Sequence, residues 1–132
     1  MIALDTNVLV RYIVEDDAKQ TAAAAALIER AVRRNEFLFV SDVVVCELVW
    51  VLSVSYHTTR HEIAALLGNV FRARHLTFRA VQELVRALDA YASGKGDFAD
   101  YLIREQARTA ECDGVATFDR ALLRERGYVA VR

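Results

Sequence analysis

The chain has 132 residues, 55% of them hydrophobic, and a formal net charge of −1. This length accommodates one domain with a real core, the apolar fraction excludes intrinsic disorder, and no apolar run approaches the roughly 20 residues of a membrane span. Near-neutrality excludes binding to nucleic acid by general phosphate attraction, so any such contact has to be local.

The elements follow in chain order. Residues 2–5 read as a first strand, with Ile2, Ala3 and Leu4 as a buried apolar run. Val8 to Val14 read as a short helix, and Ala18 to Arg34 as a longer one built on AAAAALIERAVRR. Phe37 to Val40 (FLFV) form a second strand; Ser41 then stands at an N-cap position before a helix over Val43 to Val54. Thr59 to Arg74 read as a helix opening on TRHE, the pattern of a capping box from Thr59 to Glu62. Leu76 to Phe78 form a short strand and Val81 to Tyr91 an amphipathic helix. Ser93 to Gly96 (SGKG) is the clearest loop. Phe98 to Ala110 are helical, Gly114 to Phe118 (GVATF) a strand, Arg120 to Arg126 a helix, and Tyr128 to Val131 a last strand. There is no internal repeat or linker, so one domain over residues 1–132 is expected.

Short apolar strands alternating with helices predict an α/β fold: a three-layer α/β/α sandwich around a central, mainly parallel sheet of about five strands. Such sheets bind ligands at the carboxyl ends of their strands. Asp5 ends the first strand, Glu47 lies early in the helix after the second, and Asp119 follows GVATF. All three are expected at one rim.

Each acid has a plain structural reading beside the functional one. Asp5, Thr6 and Asn7 all suit the capping of a first helical turn. Glu47 stands alone in VVVCELVWVL; a helix apolar all round is expected to be buried, and a buried carboxylate needs a partner such as a metal, the plain alternatives being a salt bridge to an arginine or a glutamate at the helix end that reaches solvent. Asp97 and Asp100, in GKGDFADYLI, share one face of a first helical turn, where the dipole favours anions. Taken together, Asp5, Glu47, Asp97, Asp100 and Asp119 make a cluster of acids that has to share protons or hold a cation. An all-oxygen, anionic donor set selects Mg²⁺ or Mn²⁺ over zinc. A metal so held attracts phosphate, activates water and steadies a leaving oxygen, which is phosphodiester hydrolysis without a nucleophilic side chain. His57, His61 and His75 show no ligand spacing and are expected at the surface. Cys46 and Cys112 match no metal motif and read as two reduced thiols, at least one of them in the core. No basic segment precedes the first apolar stretch, so no signal peptide is expected and the plain inference is a cytoplasmic protein.

At this point the chain resembles a PIN domain, and within that family the VapC toxins of toxin–antitoxin pairs. The matching pieces are LDTNVLVR, the lone glutamate of VVVCELVW, DFADYLI and ATFDRAL, in the family's order and spacing over the whole chain. The resemblance implies a Mg²⁺- or Mn²⁺-dependent endoribonuclease whose catalytic acids are Asp5, Glu47, Asp100 and Asp119. Asp5, Asp100 and Asp119 are then metal ligands, with Asp97 as the extra acid of a DFAD motif. Thr6, Asn7 and Thr117 would orient the carboxylates or a metal-bound water. The resemblance also implies an RNA substrate, homodimerisation, and inhibition by a cognate VapB-type antitoxin that lies in a groove and places an arginine in the acidic site. Trp50, Val51 and Tyr56 are candidates for that groove or the dimer face, though core packing is the simpler expectation for them. Three other readings stand beside this one. The first is a PIN nuclease that is not a toxin. The second is a catalytically silent PIN module that only binds protein. The third is an aspartyl phosphatase of the haloacid dehalogenase type, which asks for a second aspartate where Asn7 stands.

Overall fold

A computed structural model describes residues 1–132. The fold class is mixed α/β, with every strand pairing parallel, as expected. The chain packs as two compact units, residues 1–59 with 69–79 and residues 60–68 with 80–132. No helix is long and apolar enough to cross a membrane.

The first unit is built on a three-stranded sheet, β1 (Ile2–Ala3), β2 (Leu38–Phe39) and β3 (Leu76–Thr77), in that order. Its register pairs Ile2 with Leu38 and Leu38 with Leu76. β1 is an edge strand; Ile2 and Ala3 are exposed and Leu4 alone of the first apolar run is buried. α1 (Thr6–Val14) buries Thr6, Leu9 and Val10. α2 (Ala18–Arg33) buries Ala24, Ile28 and Ala31, positions four and three apart on one face. The two helices are tied at the α1 carboxyl end. Arg11 donates to Gln20 and Asp16, and the Tyr56 hydroxyl donates to Asp16 at 2.7 Å.

α3 (Asp42–Val54) starts at Ser41, whose hydroxyl accepts from Val44 N–H at 3.3 Å. It buries Val45, Leu48, Val49 and Leu52, a stripe of helical period. The opposite stripe, Val43, Glu47, Trp50 and Val54, is exposed. The expectation that this helix is buried all round, with Glu47 shut in a core, is therefore corrected. VVVCELVWVL is apolar on every side, so composition alone does not say which stripe faces inward. Trp50, 61% exposed, is likewise not core, whereas Val51 and Tyr56 are half-buried.

The second unit pairs β4 (Val115–Thr117) with β5 (Tyr128–Ala130). The five strands thus pair as a set of three and a set of two. α5 (Val81–Ser93) packs on α6 (Phe98–Thr109) through two matching stripes. Leu84, Ala87, Leu88 and Tyr91 face Phe98, Tyr101, Leu102 and Glu105, each set repeating at three, four and seven residues. α4 (Arg60–Arg72) contributes the buried Ile63 and Leu67 to this unit.

The helix expected over Arg120 to Arg126 is a single 3₁₀ turn, Leu122–Arg124. Two features stop it. The Tyr101 hydroxyl takes the Glu125 carboxylate at 2.7 Å, and Gly127 turns the chain into β5 at a φ of 92°. That φ is what favours glycine here; an added Cβ would also meet Arg104 Cδ at 2.7 Å, which the arginine would have to give way to.

Candidate active site

In the first unit the site grows from the end of β1. Asp5 is the N-cap of α1, and its Oδ1 accepts from Thr6 N–H at 2.8 Å. Thr6 is buried and turns its hydroxyl to Glu47, donating to Oε2 at 3.2 Å. One threonine therefore holds both acids, Asp5 through its amide and Glu47 through its hydroxyl. Asp5, Asn7 and Glu47 are exposed. Asn7 borders a cavity of about 360 Å³ between α1 and α2, with Val8, Ala23, Ala24 and Leu27 as its apolar lining and Arg11 and Gln20 on its polar side.

In the second unit the acids lie at two turns. Asp97 is the N-cap of α6 and Asp100 its third helical residue, in a capping box. Asp97 N–H donates to Asp100 Oδ2 at 2.9 Å. Asp119 follows β4. Its N–H donates to the Thr117 hydroxyl at 3.0 Å, and its Oδ1 accepts from Ala121 and Leu122 N–H at 2.8 and 3.3 Å. Gly96 joins the two turns: a Cβ there would stand 2.6 Å from Leu122 Cδ2 and 3.2 Å from Asp100 Oδ2. A side chain at Gly96 would have to displace Leu122 and would crowd the Asp100 carboxylate.

Four groups bracing this second pair, Tyr101, Glu125, Tyr128 and Arg60, escape a reading by motif. The Tyr101 hydroxyl accepts from Gly96 N–H at 3.0 Å and donates to Glu125. Burial, with the Glu125 bond next, raises the Tyr101 pKa. The Tyr128 hydroxyl donates to the Asp100 carbonyl at 3.0 Å; burial is the main cause that pushes its pKa up to about 12, so it stays a donor. The fourth group is Arg60, which donates to the carbonyls of Tyr91, Lys95 and Gly96. The only signal for the tyrosines is their place on the apolar stripe; the arginine sits in TRHE and reads there only as part of a helix start.

The histidine and cysteine expectations need two corrections. His57 and His61 are exposed, but His75 is half-buried beside a cavity of about 170 Å³, and burial lowers its pKa. It is drawn in because its carbonyl accepts from Leu38 N–H at 2.9 Å, at the start of the β2–β3 pairing. Both thiols are free; Cys46 is only half-buried and Cys112 is exposed, so neither is a full core residue.

The donor chemistry fits a hard divalent cation. Asp5, Glu47, Asp100 and Asp119 each anchor one oxygen on an N–H or hydroxyl, and carboxylate oxygens are the donors such an ion takes. In neither unit are three or more acidic, histidine or cysteine side chains gathered into a group that could hold a metal ion. The acids come as pairs.

No curated protein matches the chain. The family model of the PIN domain matches residues 2–127, nearly its whole length. The match takes in both acid pairs, and the chain accordingly belongs to the PIN domain family, whose members are generally nucleases.

Proposed function

We propose that the protein is the toxin of a toxin–antitoxin pair, a single PIN domain over residues 1–132 acting in the cytoplasm as a Mg²⁺- or Mn²⁺-dependent endoribonuclease. The observation that carries this reading is the shared arrangement of Asp5, Glu47, Asp100 and Asp119. Each acid is oriented through one oxygen, and Asp5 and Asp119 both follow the carboxyl ends of parallel strands. Asp5, Asp100 and Asp119 are the proposed metal ligands, with Asp97 as a further acid whose first task is to cap α6. Glu47 is exposed and held only by Thr6, so it is free to accept a proton from an attacking water. Thr6 and Thr117 fix the acids beside them, and Asn7 would orient the carboxylates or a metal-bound water. A divalent cation held by Asp5, Asp100 and Asp119 would supply the charge that admits a phosphodiester and would lower the pKa of water.

The proposed partners follow from the surface. The groove lined by Asn7, two residues from Asp5 in sequence, has an apolar lining, a seat for an antitoxin segment whose arginine neutralises the acids. Exposed Trp50 and Val54, toward the carboxyl end of α3 beyond Glu47, support a homodimer that leaves Glu47 open.

Induced expression of the chain in a bacterial host tests the reading. Growth arrest is expected with the wild type, none with Asp5→Asn, and relief on co-expression of a small neighbouring reading frame. Arrest by Asp5→Asn equal to the wild type would remove the catalytic reading. No arrest by either, with RNA still cleaved in vitro, would leave a nuclease that is not a toxin.

A further inference from the structure

The Gly96–Asp97 peptide carries hydrogen bonds at both of its ends. Its carbonyl, on Gly96, accepts from Arg60 Nη1 at 2.7 Å. Its N–H, on Asp97, donates to Asp100 Oδ2 at 2.9 Å. A peptide unit is a rigid plane, so what fixes one end aims the other. The guanidinium and the Asp100 carboxylate are thus coupled through one plane.

Arg60 is well placed to hold that plane. α5 ends at Gly94, which has an extended backbone instead of the left-handed conformation that would let the chain satisfy its own last carbonyls. Arg60 provides one of the missing donors, Nη1 reaching Tyr91 O at 3.1 Å, while Nη2 reaches the carbonyl of Lys95 in the following loop at 3.2 Å. Its guanidinium also lies over the Tyr91 ring, 4.4 Å from the centroid. A cation at a helix carboxyl end is favoured by the dipole. The fork spends its donors on three carbonyls within six residues, a geometry open to arginine and closed to lysine. On the far side of the loop, the Tyr101 hydroxyl takes Gly96 N–H.

We propose that Arg60 is the positioning residue of the Asp97–Asp100 turn: by gripping the Gly96 carbonyl it orients the Asp97 N–H that in turn holds the Asp100 carboxylate open toward its ligand. The part of this concerning the metal rests on the function proposed above; the part concerning the peptide plane does not.

The test compares wild type with Arg60→Lys and Arg60→Ala, without and with Mn²⁺. Lysine keeps the charge but loses the fork, so it decides the matter if the alanine variant fails to fold. Amide hydrogen exchange in EDTA reads the peptide plane. The Asp97 amide is expected to lose about tenfold in protection in Arg60→Lys while the Leu102 amide in the same helix holds. Titration with Mn²⁺ alone reads the carboxylate; loss of a group that orients a ligand typically weakens metal binding roughly 10–100-fold, and about tenfold is expected here. Unchanged exchange at Asp97, or an equal loss at Leu102, overturns the positioning role. So does Mn²⁺ affinity equal to wild type in a variant whose Asp97 amide has been freed. A wild-type chain that binds no Mn²⁺ refutes the metal site instead, and the exchange result still decides what Arg60 does.

Discussion

The two acid pairs are held by opposite means. Asp5 and Glu47 meet at one threonine, and the Glu47 bond spans residues 41 apart in sequence. Its position depends on α3 being packed correctly, with Leu48 buried directly after it. Asp100 and Asp119 are set locally, by N–H groups within three residues of each, and then braced by Tyr101, Tyr128 and Arg60. Glu47 depends on how α3 is packed, whereas Asp5, Asp100 and Asp119 are set first by N–H groups close to them in sequence. A site built from long-range packing and a site built from turns are therefore expected to fail under different substitutions.

The largest effect on the first pair comes from the core beneath it. Leu48→Ala should cost about 2–5 kcal/mol of stability, measured in denaturant melts, and lower RNA cleavage beyond what the unfolded fraction accounts for. Cleavage per folded molecule equal to wild type would show that α3 packing does not place Glu47.

The second pair is probed by Tyr101→Phe, which strips Gly96 N–H of its acceptor and Glu125 of its donor. A buried group left unpaired costs about 1–3 kcal/mol, so a clear fall in melting midpoint is expected. A midpoint unchanged from wild type would mean that the loop before α6 does not depend on this brace.

The smallest stability effect separates the two pairs most cleanly. Thr6→Val removes the hydroxyl between Asp5 and Glu47 at nearly constant shape. Glu47 is exposed and regains water, so stability should move by less than about 1 kcal/mol while cleavage drops about tenfold. A large stability loss with cleavage retained would make Thr6 a scaffold residue.

These differences also explain what the sequence conveys. Turn chemistry is local: Ser41 before α3, Asp97 before α6 and glycine around Lys95 mark their boundaries because the capping groups act within a few residues. α2 is legible from its alanine-rich run, and β4 lies inside GVATF. Asp97 and Asp100 are recognisable as a pair for the same reason. What is not local is not legible. Nothing in VVVCELVWVL tells Glu47 from the buried stripe of Val45, Leu48, Val49 and Leu52, because apolar residues stand on both faces. Arg60 reaches carbonyls 31 to 36 residues away, and carbonyls carry no side-chain signature. The turn at Leu122–Arg124 reads as a helix until Glu125 is seen to be taken by Tyr101.

The central claim is that these carboxylates carry metal-dependent hydrolysis of RNA. Its most direct measurement is cleavage of a defined RNA by the purified chain in Mn²⁺ and in EDTA, for wild type and Asp5→Asn in parallel, with circular dichroism confirming that both are folded. The account predicts cleavage by wild type in Mn²⁺, none in EDTA, and none by Asp5→Asn in either. Cleavage by folded Asp5→Asn at the wild-type rate, or wild-type cleavage undiminished by EDTA, would contradict it.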